Sequence, residues 1–251
     1  GEFGLIARLA RKAFVKKNII KGIGDDTAVL PFSSKRYLLF TTDMLCEGVH
    51  FTAKDDPVLI GNKALACSLS DIAAMGGVAQ SAVISVGFPK NISLRFVDKI
   101  YDGINRLAKK FQVSIVGGDT IFCPKILINV AVLGEVRKKD LVLRSNAKIG
   151  DQIFVTGPLG RSLKTKKHLS FIPRLQEAAY LVSHFKPNAM IDISDGLAAD
   201  LGHILEESGK GAVIDEASIP KAPGASLENA LGDGEDFELI FTLPKLKATR
   251  L

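Results

Sequence analysis

The stretch from Pro57 to Met75 constrains the fold more than any other part of the chain. It reads as a helix in which leucine, isoleucine and alanine recur on nearly every face, and proline is a favoured first helical residue. A helix that is apolar all round has to be covered by other elements, so we expect it to be buried. Asp71 lies on this helix, and a carboxylate that is buried, charged and unpaired is costly. The sequence therefore predicts a partner for Asp71.

Strands and helices alternate over the rest of the chain. Hydrophobic periodicity predicts helices at 5–17, 94–111, 173–185 and 197–208, and strands at 37–42, 81–88, 113–116, 126–136, 151–156, 190–193, 212–215 and 237–243. The polar neighbourhood of 137–148 is the best boundary, which predicts two domains at 1–138 and 139–251. The alternation favours an α/β second domain, and a first domain that is α+β or α/β.

Composition excludes several classes of protein. The chain has 251 residues, 47% of them hydrophobic, yet no uncharged apolar run approaches the length of a membrane span and no signal peptide is recognisable, so we expect a cytoplasmic protein without a membrane partner. The odd number of cysteines, and their spacing, support neither a disulfide framework nor a zinc site, and we interpret all three as buried thiols. The basic runs, at 12–21 and 164–167, lack interleaved aromatic residues, so no nucleic-acid partner is predicted.

Acidic residues recur in segments that we interpret as short turns, where apolar strands and helices begin or end. The segments are Gly24-Asp25-Asp26, Thr41-Thr42-Asp43, Ser70-Asp71, Gly117-Gly118-Asp119-Thr120, Asp192-Ile193-Ser194-Asp195-Gly196 and Gly234-Glu235-Asp236. Aspartate in a turn often bonds only backbone amides, and Asp195 could be an N-cap. The recurrence of acidic pairs in a chain of net charge +6 nevertheless favours convergence on a divalent cation, and hard oxygen ligands favour magnesium.

Common nucleotide and nucleophile motifs are absent. The Walker pattern does not occur, and Gly22 to Thr27 begins like a dinucleotide fingerprint but lacks its last glycine. No signature indicates a Ser/His/Asp or Cys/His nucleophile. His50, behind Asp43 and Glu47, either faces the acidic cleft or is a core histidine; His168 and His184 read as surface residues and His203 as a packing residue. If the acceptor is itself a phosphate, no general base is needed, and alignment with neutralisation of charge suffices.

The acidic segments are part of a longer series of motifs. Besides them, it includes Gly1-Glu2-Phe3, Gly48-Val49-His50-Phe51, Lys63-Ala64-Leu65-Ala66, Arg144-Ser145-Asn146-Ala147, Asp200-Leu201-Gly202 and Phe237-Glu238-Leu239. In this order they resemble the thiamine-monophosphate kinase family, within the ATP-binding superfamily that includes aminoimidazole ribonucleotide synthetase.

The resemblance implies transfer of the γ-phosphate of ATP to thiamine monophosphate, giving thiamine diphosphate. It implies several magnesium ions on Asp26, Thr41, Thr42, Asp43, Asp71, Asp119, Asp192 and Asp195. ATP as co-substrate would be held by Gly118, Asp119, Arg144, Ser194 and Tyr101, and thiamine monophosphate would contact His50 and Glu235.

The resemblance also implies a homodimer in which the sheets of two N-terminal domains pair, with a C-terminal α/β domain closing over the nucleotide. The family's second domain continues past the strand at 237–243, so we expect part of the thiamine pocket outside this sequence. Asp25 and Asp236 are interpreted as turn residues only. The alternatives are another ATP-dependent synthetase of the superfamily, or a non-catalytic module that binds nucleotide or thiamine phosphate.

Overall fold

The computed structural model describes residues 2–250, with side chains from Gly4 onward, so the motif at Gly1-Glu2-Phe3 lies largely outside the described residues. The helices are α1 (Glu2–Ala10), α2 (Pro57–Ala74), α3 (Leu94–Phe111), α4 (Ser162–Thr165), α5 (Lys167–Ser170), α6 (Leu175–His184), α7 (Leu197–Ser208), α8 (Leu227–Gly232) and α9 (Lys245–Ala248). The strands are β1 (Ala28–Pro31), β2 (Arg36–Cys46), β3 (Val78–Phe88), β4 (Ser114–Phe122), β5 (Leu127–Arg137), β6 (Asp151–Val155), β7 (Ala189–Asp192) and β8 (Leu239–Pro244).

The first sheet has five strands in the order β1-β2-β5-β3-β4, and only the β3–β4 pair is parallel. Along β5 the side chains of Ile128, Val130 and Val132 are buried and alternate with less buried ones, as expected for a sheet with one covered face. Helices α2 and α3 cover that face. The opposite face, called here the open face, exposes Phe40, Met44 and other apolar side chains.

Helix α2 is buried, as its sequence predicts. Ile60, Leu65, Leu69 and Ile72 are inaccessible to solvent. The helix begins after Asp56, whose carboxylate accepts a hydrogen bond from the Val58 amide at 2.9 Å. Its N-terminal and central turns pack in the core of the first sheet, and its last turn packs in the core built on α6 and β8. The division into 1–138 and 139–251 therefore stays a prediction, because one helix serves both cores.

Two glycines allow α2 and α3 to approach closely. A Cβ atom at Gly61 would lie 1.9 Å from the carbonyl oxygen of Ile100, and one at Gly103 would lie 1.9 Å from that of Val58. Both distances are far shorter than van der Waals contact, so the two backbones can approach this closely only because neither glycine has a side chain. This contact fixes α2 against the sheet.

The second sheet has three antiparallel strands in the order β6-β8-β7. The side chains of Leu239, Phe241 and Leu243 on β8 face α6, whereas Ile240 faces α7. No helix among residues 2–250 is both long and apolar enough to cross a membrane.

Several local predictions are wrong. The segments Thr41-Thr42-Asp43 and Gly117-Gly118-Asp119-Thr120 are not turns, because hydrogen bonds to β5 and β3 continue β2 and β4 through them. The predicted strand at 212–215 is unpaired, and Val213 is almost fully exposed. The first helix ends at Ala10, not near residue 17.

Some predictions of burial are also wrong. His168 is buried rather than on the surface, with Nδ1 3.0 Å from the Ser162 carbonyl oxygen. Cys67 is buried as predicted, whereas Cys46 and Cys123 are only partly buried.

Candidate metal and phosphate site

Three carboxylates converge from three elements. Asp26 precedes β1, Asp71 lies in the last turns of α2, and Asp192 ends β7. One carboxylate oxygen of each lies within 4.8 Å of the others, and Asp26 and Asp192 are buried. The two sheets and α2 together therefore assemble an acidic group that no single element carries.

The protein alone compensates only part of the charge of this group. Burial, followed by repulsion from Asp43, Asp192 and Asp26, raises the pKa of Asp71 well above its ordinary value. Burial and the charge of Asp26 do the same to the pKa of Asp192. Full ionisation of such a group needs a cation, and a set made only of hard oxygen donors suits Mg²⁺. The chemistry of the donors therefore fits the magnesium that the resemblance implies.

Hydroxyl groups hold the carboxylates in place. Thr41 on β2 donates a hydrogen bond to Asp71. Ser68 donates to Asp43 at 2.5 Å, and Ser70 donates to Asp192 at 2.5 Å. Thr41 and Asp43 are two residues apart on a strand, so both face α2. The hydroxyls occupy one lone pair of each carboxylate and leave the others for a cation.

Arg144 neutralises part of the cluster. Its Nη2 lies 2.7 Å from Asp26 Oδ1, and its Nε lies 3.9 Å from Asp25 Oδ1. Burial alone would lower the pKa of Arg144, but the adjacent carboxylates of Asp26 and Asp25 outweigh burial and raise it. The guanidinium is thus a permanent cation beside the carboxylates, with a planar fork suited to phosphate oxygens.

A second acidic group lies at the start of α7. Ligand atoms of Asp195, Asp200 and His203 are within 4.8 Å of one another. Asp200 accepts hydrogen bonds from the amides of Asp195 and Gly196, both at 3.0 Å. Burial, opposed in part by these amides, raises the pKa of Asp200 to about 7. The residue before the helix is Gly196, so the alternative that Asp195 is an N-cap is wrong.

The two residues predicted to contact thiamine monophosphate lie around Lys63. His50 Nδ1 accepts a hydrogen bond from the Cys46 amide at 3.0 Å, so the ring is held by its own loop. Lys63 Nζ donates to the His50 carbonyl oxygen at 3.0 Å and also to the Glu235 carboxylate. The Glu235 amide donates to the Ser194 carbonyl oxygen at 2.7 Å, which joins this region to the loop that carries Asp192 and Asp195.

Some predicted site residues do not join the cluster within one chain. Gly118 and Asp119 lie on the edge strand β4, and sheet register aligns Asp119 with Ser85, Asn129 and Met44 on the open face. Thr42 also faces that side, where its hydroxyl donates to Asn129 Oδ1 at 3.2 Å. Tyr101 lies half-buried on α3, and no contact between it and the acidic cluster is found among residues 2–250. Their roles stay predictions.

Sequence reasoning missed several residues of the site. Asp25, interpreted as a turn residue, has a fully buried side chain, and burial together with the charge of Asp26 raises its pKa to about 7. Lys63 and Ser68 stand on α2 at helical spacing from Asp71, a pattern that the sequence contains, and Ser70 directly precedes Asp71. Asp236 is a structural residue: it accepts hydrogen bonds from the Gly160 amide at 2.8 Å and the Ser162 hydroxyl at 2.5 Å.

Comparison with known proteins decides the family. A thiamine-monophosphate kinase of Buchnera aphidicola subsp. Schizaphis graminum is 37% identical, over 100% of this chain and 85% of the relative. The thiamine-monophosphate kinase of Aquifex aeolicus is 35% identical, over 98% of this chain and 86% of the relative. This chain belongs to the thiamine-monophosphate kinase family.

The other comparisons agree with this family. Residues 24–136 match the family model described as AIR synthase related protein, N-terminal domain. A structure of AaThiL complexed with AMPPCP and TMP superposes with a TM-score of 0.90 at 35% identity, covering 98% of this chain and 86% of that one. The resemblance to the thiamine-monophosphate kinase family and the mixed α/β and α+β fold class are confirmed.

Proposed function

We propose that this protein is an ATP-dependent kinase that transfers the γ-phosphate of ATP to thiamine monophosphate, giving thiamine diphosphate and ADP. The observation that carries the proposal is the convergence of Asp26, Asp71 and Asp192 beside the Arg144 guanidinium. Family membership supports the same activity, since the relatives are named for it.

Magnesium would be held by the three converging carboxylates, with Thr41 and Asp43 alongside. Asp195, with Asp200 and His203 close by, is the proposed place for a further ion. Bound magnesium supplies neutralisation of phosphate charge during transfer. The protein's own contribution is orientation, because Thr41 and Ser70 hold the carboxylates of Asp71 and Asp192 before any ligand arrives.

ATP phosphates would meet Arg144, with Ser194 on the adjacent loop. The guanidinium is only partly exposed, so its charge is weakly screened by water. The acceptor would lie at the other end of the cleft, against His50 and Glu235. A phosphate acceptor is already an anion near neutral pH, so we assign no general base.

We also propose a homodimer formed through the open face. Phe40, Met44, Val83 and Ile121 are exposed there, and a contiguous apolar sheet face is typical of an interface. Asp119 shares the open face, so pairing of two copies would place both Asp119 side chains in or beside the interface. We therefore propose that Gly118 and Asp119 serve the site across the dimer.

Incubation of the purified protein with ATP, Mg²⁺ and thiamine monophosphate, followed by chromatography, tests the activity. We expect ADP and thiamine diphosphate in equal amounts, and no product when EDTA removes the metal. The variant Asp43→Asn should lose activity, because it removes a carboxylate that faces the cluster, whereas Asp102→Asn on the exposed face of α3 should retain it.

The outcomes separate the alternatives. Magnesium-dependent ATP binding in calorimetry without turnover would favour a non-catalytic module. Turnover of ATP with a different acceptor would favour another synthetase of the superfamily.

A further inference from the structure

Lys63 is the feature of the cleft that the proposed function leaves unexplained. Its side chain is 0% exposed, and it stands on α2 one turn before Cys67 and two turns before Asp71. A lysine is almost never fully buried unless its ammonium group is paired. This face of α2 therefore carries a fixed positive charge at one end and a carboxylate at the other.

The partners of Lys63 are the two residues predicted to contact the acceptor. Its Nζ donates to the His50 carbonyl oxygen at 3.0 Å and to Glu235 Oε2. The Glu235 side chain is 22% exposed, so it lies at the boundary between the buried lysine and solvent. No hydrogen bond to Glu235 Oε1 is found within the described part of the chain, which leaves that oxygen available to a ligand.

The turn that carries Glu235 depends on its surroundings. Glu235 has φ of 58° and Phe237 has φ of 49°, the left-handed region that non-glycine residues rarely adopt. The Phe237 ring stacks on Phe171 with centroids 4.0 Å apart, and Asn62 on α2 donates to the Phe171 carbonyl oxygen at 3.2 Å. A strained turn of this kind persists only where neighbouring contacts fix it. Lys63 supplies the contact at the carboxylate itself.

We propose that Lys63 is a positioning residue for the acceptor. It fixes the Glu235 carboxylate by one oxygen and the His50 loop by its carbonyl, so that Glu235 Oε1 and the His50 ring meet the acceptor in one arrangement. It also offsets part of the Glu235 charge beside an incoming phosphate. This inference rests on the proposed kinase function and deepens it at the acceptor end of the same site.

Steady-state kinetics test the proposal with wild type, Lys63→Met, Lys63→Arg, Glu235→Gln and the double variant Lys63→Met/Glu235→Gln. We expect Lys63→Met to raise KM for thiamine monophosphate by about tenfold or more, with KM for Mg-ATP changed by less than about twofold. Lys63→Arg keeps the charge and should recover part of the loss. Because Lys63 acts through Glu235, the double variant should be no worse than the more affected single variant.

The control is Arg36→Met, which removes an ion pair with Glu135 (2.6 Å) at the far end of the sheet and should change neither KM. Thermal unfolding shows whether each variant folds. If Lys63→Met does not fold, Lys63→Arg alone still tests the selective rise in KM for thiamine monophosphate. Equal changes in both KM values, or additive effects in the double variant, would overturn the proposal. A wild-type protein that makes no thiamine diphosphate would instead refute the proposed function.

Discussion

At the scale of single residues, the site is a set of carboxylates placed where water cannot stabilise their charge. Asp71 is one example, because burial and the neighbouring Asp43 and Asp192 all raise its pKa. Selection for stability alone would replace such buried carboxylates by apolar or amide side chains. The residues are therefore expected to trade stability for the binding of a cation.

The variant Asp71→Asn measures this trade directly. It keeps the shape and can still accept a hydrogen bond from Thr41, but it removes one buried negative charge. We expect kcat to fall by about two orders of magnitude or more, while the metal-free protein becomes more stable by about 1 kcal/mol or more. Urea unfolding in EDTA and the kinase assay give the two values. A variant both inactive and less stable would contradict this account of the cluster.

The stability of the metal-free protein should fall as the pH rises from about 4 to about 7. Burial raises the pKa of Asp25 and of Asp200 to about 7, whereas in the unfolded chain both have the ordinary aspartate pKa of 3.8. Between these values the folded state holds more protons than the unfolded state, so deprotonation favours unfolding. Asp55, whose pKa is lowered to about 2 despite burial because Lys166 and Thr52 bond its carboxylate, acts in the opposite direction, but only below about pH 4.

Melting temperatures in EDTA at about pH 5, 6 and 7 check this dependence. In Asp200→Asn, which can keep the amide hydrogen bonds from Asp195 and Gly196, the fall between pH 5 and 7 should be smaller than in wild type. A fall of equal size in the variant would exclude Asp200 as a source of the dependence.

The sequence was sufficient for some of these residues and insufficient for others, for a physical reason. Asp71 could be predicted because an acid in an apolar helix needs a partner wherever the helix lies. The side to which Thr42 and Asp119 point could not be predicted, because it depends on how far β2 and β4 continue. The length of these two strands depends on hydrogen bonds to strands that are distant in the chain. Lys63 shares a helical face with Asp71, but its partner Glu235 is far along the chain.

At the scale of elements, prediction succeeded where a helix ends at its own local signals. The bounds of α3 and α7 agree with the predicted 94–111 and 197–208. It failed at 212–215, where β-compatible residues have no neighbouring strand. The contact between α2 and α3 was also beyond sequence reasoning, because a glycine within a helix does not reveal which backbone approaches it.

Alanine substitution should have opposite effects on stability at Gly103, which lies at this contact, and at Gly202, which does not. Gly103→Ala on α3 would bring a Cβ within 1.9 Å of the Val58 carbonyl oxygen, so the helices must separate, and we expect a loss of about 2 to 4 kcal/mol. Gly202→Ala on α7 has no atom within 4 Å of the new Cβ and should stabilise the protein by up to about 1 kcal/mol. Chemical denaturation gives the free energy of unfolding of both variants. Equal effects would mean that helix propensity, not close packing, governs Gly103.

At the scale of the whole molecule, the open face and the edge strand β4 suggest that one chain is only part of the active unit. The variant Phe40→Glu places a charge on the open face, where Phe40 is 47% exposed, and should convert a dimer into monomers. Phe32→Glu changes a phenylalanine that is 55% exposed in the loop after β1 and should leave the dimer intact. Analytical ultracentrifugation gives the masses. Dimers that persist in Phe40→Glu would exclude this face.

Mixing two inactive variants tests whether Asp119 acts across the dimer. Refolding Asp71→Ala together with Asp119→Ala gives mixed dimers. If each site takes Asp71 from one chain and Asp119 from the other, one of the two sites in a mixed dimer has both aspartates intact. We expect recovery of about a quarter of wild-type activity, since half of the dimers are mixed and each has one of two sites restored. Absence of recovery, with mixed dimers present by mass spectrometry, would place Asp119 in the same site as Asp71 of its own chain or outside any site.

Helix α2 packs in the cores of both sheets and also carries Lys63, Ser68, Ser70 and Asp71. Because the two ends of the helix pack in different cores, unfolding of the whole helix requires both cores to open, and we expect the exchange of its amide protons to report global unfolding rather than local fluctuation. The other carboxylates of the cluster lie on different elements, with Asp43 on β2, Asp192 at the end of β7 and Asp26 before β1. Asp71, which Asp43, Asp192 and Asp26 repel, thus stands on the element that we expect to exchange its amide protons most slowly, and this helix keeps its carboxylate in place between one catalytic cycle and the next.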